Sequence, residues 1–325
     1  MAADMTPPPG AHAFLAAQGW DGAEVSPLAG DASFRRYFRV RQDGRSAVLM
    51  DAPPPDEDTG PFLSAGAWLA ENGFRPPAIH GADPGQGLVL LEDFGDARMR
   101  ETLEASPDQE RALYAQAVDL LVDLGRRPAG PFEPYDRAML LREAALFVEW
   151  YCPAVGIEAD AKGYHAAWDQ VLGRALADEP VTVLRDYHAE NLMIVDGGLG
   201  LLDFQGAMAG HPAYDLVSLL QDARRDVDPE IERAMLARYQ AATGAGEAFL
   251  DAYHVLGAQR NAKILGIFTR LWKRDAKERY PSLCPRVWSY LERDLGHSAL
   301  APVTRWFDAH VPPEKRGDPL LLSAA

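Results

Sequence analysis

Three side chains in the middle of the chain have the types and spacing to do chemistry: Asp186, Asn191 five residues on, and Asp203. An apolar run over 181–184 ends in Arg185-Asp186. A second short run over 192–195 meets Asp196-Gly197-Gly198, and a third over 199–202 returns to present Asp203. Asp-Gly between two apolar runs is a strong hairpin signal. The hairpin joins its own ends, so Asn191 and Asp203 are expected side by side, with Asp186 on the loop just before them. Oxygens from an Asn and an Asp suit a hard cation such as Mg2+, and a separate Asp can take a proton from a hydroxyl. Taken alone, Asp186 and Asn191 read better as loop caps, and Asp203 as a strand end. The order strand, loop, hairpin, Asp is also that of phosphoryl-transfer sites.

Such a set must be positioned by the rest of the chain. The spacing predicts a short helix over 11–20 with Phe14, Leu15 and Trp20 inward, then a turn-rich link over 27–33. Strands are expected over 34–40 and 46–50, joined at Asp43-Gly44. In the link, Gly30-Asp31-Ala32-Ser33 could expose amides to a phosphate or be a plain loop. Alternation places Phe34, Arg36 and Phe38 on one strand face and Arg35, Tyr37 and Arg39 on the other. A helix over 61–72 and strands over 78–82 and 87–91 complete a first unit. The acidic turn Glu92-Asp93-Phe94-Gly95 suits a hinge. Beyond it the apolar spacing is helical, with helices over 107–125, 137–151, 162–177, 213–224, 229–242, 247–274 and 285–295. The expected class is α+β with two lobes: 1–94 as a small antiparallel-sheet lobe, and 95–325 as a helical lobe that also carries the hairpin.

Composition narrows the function. The 325 residues carry a net charge of −16 and show no dense Lys/Arg run, which argues against nucleic acid as a partner. An anionic ligand would need locally placed arginines. Cys152 and Cys284 form neither a metal spacing nor a disulfide framework, so a reducing compartment fits. No apolar run approaches the ~18 residues that span a bilayer. The residues at 1–10 have three prolines and no apolar segment of a secretory signal. The expectation is a cytoplasmic, monomeric protein without a membrane partner.

The motif residues resemble the aminoglycoside phosphotransferase and choline kinase family, small-molecule kinases with a protein-kinase-like fold. Residues 184–191, Leu-Arg-Asp-Tyr-His-Ala-Glu-Asn, stand where that family places its catalytic loop. Asp203-Phe204-Gln205 stands at its metal-binding Asp, and His211-Pro212-Ala213-Tyr214-Asp215 at the stretch whose Asp braces the loop. A narrower resemblance rests on residues 33–39, 49–54, 91–95 and 259–266. It is to bacterial kinases that phosphorylate N-acetylmuramate and N-acetylglucosamine at the anomeric hydroxyl during peptidoglycan recycling. The chain departs from the broad pattern at Met50, where the family keeps a phosphate-binding Lys, and at Leu184, where it keeps a His.

The resemblance implies ATP and Mg2+ as cofactors and an amino sugar as substrate. Asp186 is then the catalytic base, and Asn191 and Asp203 hold the metal. Ser33 covers the nucleotide, backbone groups around Glu92 and Phe94 take adenine, and Arg36 is the expected replacement for the missing Lys. On the substrate side, His188, Glu149, Trp150, Arg260 and Asn261 are the candidates. Each has a plainer alternative: a hydrogen-bonded loop for His188, a buried aromatic helix end for Glu149 and Trp150, and a solvated helix face for Arg260, Asn261 and especially Lys263. Two other functions stay open, a kinase for another hydroxyl substrate (aminoglycoside, choline or amino alcohol) and a nucleotide-binding regulator without catalysis.

Overall fold

The structure, a computed structural model, describes residues 6–28, 35–177 and 179–324. The expected phosphate cover at Gly30–Ser33, and Phe34 with it, lie outside the described residues. The chain separates into two compact units, 1–105 with 190–206, and 106–189 with 207–325.

The first unit is built on an antiparallel five-stranded sheet: β1 (Glu24–Pro27), β2 (Arg36–Gln42), β3 (Arg45–Asp51), β4 (Ile79–Asp83) and β5 (Leu88–Glu92), in the order β1-β2-β3-β5-β4. Strand β1 was not expected; Pro27, which looked like the start of a turn, ends it. One face of the sheet packs Phe38, Val40, Ala47, Leu49, Leu88 and Leu90 against Ala11, Phe14 and Leu15 of α1 (Ala11–Ala17) and against Trp20. Register sets Tyr37 opposite Met50 and Arg36 opposite Asp51, so Tyr37 and Met50 share the other face. Helix α2 (Gly60–Glu71) follows β3, and α3 (Met99–Ala105) ends the first segment.

The hairpin Leu192–Val195/Gly198–Leu201 forms as expected. Gly197, at φ 88°, takes the left-handed turn conformation that other residues avoid. The hairpin groups with the first unit, not with the helices. Ile194 N donates to Ala97 O (2.7 Å) and Leu201 N to Arg75 O (2.8 Å), and Phe204 stacks on Phe62 of α2 at 4.9 Å. A two-stranded ribbon is marginal alone; here strand-edge amides and an aromatic stack fix it.

The second unit is helical. In chain order it holds α4 (Glu110–Gly125), α5 (Arg137–Leu146), α6 (Cys152–Ala154), α7 (Ala161–Val171), α8 (Ala213–Leu220), α9 (Pro229–Thr243), α10 (Glu247–Asp275) and α11 (Cys284–Leu295), and its axis is α10, flanked by α5, α8 and α11. A strand pair, Val181–Val183 with Met208–Gly210, leads into the loop that bears Asp186. The helix expected over 213–224 stops at Leu220, and the one expected over 137–151 passes into a π-helical turn at Phe147–Tyr151. Phe147 stacks on Tyr151 at 5.2 Å and meets Trp288 and Phe307 edge-on or tilted. Such pairs add ~0.5–1.5 kcal/mol each beyond burial. The helix α12 (Ala301–His310) supplies Phe307 and had no counterpart in the sequence reading. Among the described residues no helix is long and apolar enough to cross a membrane.

Candidate active site

The loop after strand 181–183 is held from below by Asp215 of α8. Its carboxylate accepts the Leu184 amide (2.6 Å) and the Arg185 amide (2.8 Å). Arg185 sits at φ 72°, a left-handed conformation that costs a bulky residue about 1–3 kcal/mol unless its surroundings enforce it. They do so at both ends. Asp215 fixes the amide, while the guanidinium pairs with Glu143 and lies over the Tyr135 ring at 5.1 Å. Glu143 also takes Lys263 Nζ at 2.9 Å and the Tyr135 hydroxyl. Burial pushes the Glu143 carboxyl up, but Lys263 and Arg185 outweigh it, so it stays ionised below the usual carboxylate range.

This anchored backbone presents Asp186 outward, with its side chain 57% exposed. Arg260 of α10 approaches its Oδ1 at 3.8 Å and donates to Ser218 Oγ at 2.8 Å. Partial burial pushes the Asp186 carboxyl up. Because the group is still more than half open to water, the charges of Arg260, Lys263, His188 and Arg185 win, and it lies below its ordinary value. Its neighbours turn inward. Tyr187 donates its hydroxyl to Ala117 O (2.8 Å), and His188 is buried with Nε2 3.2 Å from Arg224 Nη1. Burial lowers the His188 pKa, so its ring is neutral at physiological pH. The loop thus exposes one carboxylate, charged and fixed in place.

Asp215 carries a testable signature. Burial pushes its carboxyl from the ordinary 3.8 up to about 7, against the two amides and Arg260. Between those values the native protein keeps a proton that the unfolded chain has lost. Its contribution to stability is therefore complete below the unfolded value and disappears as pH rises through about 7. In thermal melts from about pH 5 to about pH 8, the parent is expected to lose ground against Asp215→Asn, which cannot titrate. A pH-independent difference between the two would show that Asp215 is ionised throughout.

In the first unit the hairpin ends do meet. Leu202 N donates to Asn191 O (2.9 Å), and Asn191 Nδ2 lies 3.4 Å from Asp203 Oδ2. Gln205 Nε2 donates to Asp203 Oδ1 at 2.5 Å. Asp203 has φ 55°, a second non-glycine residue in the left-handed region, where Asp is tolerated better than Arg. Two adjacent oxygen-bearing side chains open to solvent fit Mg2+, which typically keeps waters and phosphate oxygens and takes only one or two protein ligands. Among the described residues no group of three or more acidic, His or Cys side chains able to hold a metal occurs.

The other expected residues fall in varied places. Arg36 pairs through Nε with Oδ2 of Asp51 (2.7 Å), itself only 1% exposed; it serves as the counterion of a buried carboxylate. The Glu92 side chain pairs with Arg75 and accepts the Ala78 amide (3.1 Å). Phe94 packs so closely over Gly200 that a Cβ there would lie 2.6 Å from its ring. Asn261 is fully buried and donates to Gln221 Oε1 (2.7 Å); it faces the helical core. Glu149 is exposed on the π turn and Trp150 half-buried. Lys263, for which a solvated face was favoured, is instead half of the Glu143 pair. Glu143 and Tyr135 went unread. The available signal was a charge at 143 inside the apolar stripe Leu140, Ala144, Phe147.

The phosphotransferase enzyme family model matches residues 24–253. The chain belongs to this family. It is 38% identical to the N-acetylmuramate/N-acetylglucosamine kinase of Caulobacter vibrioides, over 94% of this chain and 96% of that one. It is likewise 38% identical to the kinase of the same name from Pseudomonas aeruginosa, over 85% and 86%. Among solved structures, it resembles a choline/ethanolamine kinase family protein from Mesorhizobium loti (TM-score 0.63, 16% identity, 91% and 98% covered). It also resembles the ADP-bound aminoglycoside phosphotransferase APH(2'')-Ib (TM-score 0.60, 15% identity, 87% and 97% covered). These place a phosphotransferase on a protein-kinase-like fold, and ATP is the substrate that such a kinase consumes.

Proposed function

We propose that the protein transfers the terminal phosphoryl group of ATP to the anomeric hydroxyl of N-acetylmuramate or N-acetylglucosamine, in the cytoplasm and as a monomer, within peptidoglycan recycling. The observation that carries the mechanism is the exposed, ionised Asp186 on a loop braced by Asp215. Asp186 orients the attacking hydroxyl and accepts its proton. An anomeric hydroxyl is more acidic than an ordinary alcohol, so a carboxylate of low basicity suffices. Asn191 and Asp203 are the residues to hold Mg2+, which when bound offsets charge on the phosphates. Positioning supplies most of the remaining rate.

Substrate class follows from charge and from the names of the relatives. Arg260 and Lys263 both act on Asp186, which suits a sugar acid better than a cationic choline or aminoglycoside. We assign Arg260 to the lactyl carboxylate of muramate, with a charge-assisted bond. The test is ATP consumption with N-acetylmuramate, N-acetylglucosamine, glucose, choline and an aminoglycoside, with and without Mg2+. Turnover is expected with the N-acetyl sugars and is lost when the 1-hydroxyl is methylated. Turnover confined to choline or the aminoglycoside would overturn the substrate and keep the reaction class.

A further inference from the structure

ATP brings a dense negative charge to a chain of net charge −16, so its phosphates need a cation placed locally. Several arginines of the first unit are committed to carboxylates: Arg75 pairs with Glu92, and Arg100 with Glu104 and Glu190. Arg36 is tied to buried Asp51. Arg39 is bound by Asp93 (2.8 Å) and Asp96 (2.9 Å). Arg45 lies over the Trp20 ring at 4.1 Å, on the α1 side. Arg35 is also paired, with Glu57, and it stands on the strand face opposite that of Arg36. It precedes β2 by one residue and stands two residues before Tyr37, hence on the same face. Tyr37 is directly opposite Met50 in the register, so Arg35 is the diagonal neighbour of Met50 and within reach of a long side chain. Its guanidinium pairs with Glu57 at 3.0 Å, with only 11% and 16% of the two side chains exposed. Arg35 also hydrogen-bonds Tyr37, and the charge of Asp203 acts on the same phenol. Arg35, Tyr37, Glu57 and Asp203 thus form one electrostatic neighbourhood on the sheet face opposite the α1 core.

We infer that Arg35, oriented by Glu57, is the residue that receives the phosphates of ATP, and that Arg36 is a structural counterion. The sheet surface that Met50 leaves without charge is supplied from the adjacent strand. A guanidinium is well suited to the task, because its planar fork can bind two phosphate oxygens at once. Glu57 pairs with it and lessens the cost of holding a cation in a largely buried place. The assignment rests on the kinase reading of the same site.

The experiment is calorimetric binding of ATP and of AMP to the full chain without sugar, for the parent, Arg35→Ala and Arg35→Lys. Losing a charge-assisted bond to phosphate is expected to weaken ATP binding by roughly tenfold to a hundredfold. AMP, which lacks the outer phosphates, should change little, and Arg35→Lys should recover part of the loss. Unchanged ATP affinity in a folded Arg35→Ala protein overturns the assignment alone. Equal weakening of ATP and AMP also overturns it, since that is the mark of a merely structural residue. Absence of ATP binding by the parent overturns the kinase reading and this assignment together.

Discussion

Asp186→Asn is expected to cut kcat by about a hundredfold to ten-thousandfold, the range ascribed to a positioned general base, while ATP binds as in the parent. The substitution is close to isosteric and sits on an exposed side chain, so little packing is disturbed. The loop is fixed by other groups: Asp215 on the Leu184 and Arg185 amides, Tyr187 on Ala117 O, and Glu143 on the Arg185 guanidinium. The variant should therefore melt with the parent. Steady-state ATP consumption with saturating sugar, beside calorimetric ATP binding, checks both halves. Substantial turnover would place the base elsewhere. His188 would be a poor alternative, being buried beside Arg224 with its pKa lowered.

The largest expected effect on stability comes from Gly266→Ala. A methyl at that position of α10 would lie 2.4 Å from the carbonyl carbon and oxygen of Leu146. Those are backbone atoms, so no side-chain rotation relieves the clash and the two helices must part. Ala gains about 1 kcal/mol of helix propensity over Gly. Overpacking a tight crossing costs about 1–3 kcal/mol and occasionally more, and with backbone on the far side the upper end is expected. A net loss of about 2 kcal/mol or more should appear as a lower denaturant midpoint with an unchanged m-value. Lys263 lies one turn before Gly266 on α10 and pairs with Glu143 of α5, so kcat should fall as well. A stability equal to the parent's would mean that the crossing is looser than it looks.

These two cases show what the sequence could and could not convey. Asp186, Asn191 and Asp203 were legible because their spacing is local: a hairpin signal and a loop are written in consecutive residues, and the hairpin ends do lie 3.4 Å apart. The partners of those residues were harder to read. Glu143 precedes Arg185 by 42 residues and Lys263 by 120, and nothing local says that three charges will converge. The same gap hid the partner of Arg36. Alternation gave its strand face correctly, but only the register Arg36↔Asp51 shows which carboxylate it serves. Helix boundaries failed where tertiary packing overrides apolar spacing, as at the π turn and at Leu220. Grouping the hairpin with the helices failed because chain order does not say which unit a ribbon packs on.

The π turn at Phe147–Tyr151 has a geometric effect on everything upstream of it. It accommodates one residue more than an α-helical turn would, and each residue advances an α-helix by about 100°. The helix on its two sides is therefore out of phase with itself. Upstream, Glu143 is aimed at Arg185 and Lys263. At its far end, Tyr151 is aimed at Trp288 and at the backbone near Gly317. The exposed Glu149 lies within the segment that takes up the difference. One surplus residue acts as a mechanical coupling between two shafts set at different angles, so each end of the element can be tuned by substitution without turning the other.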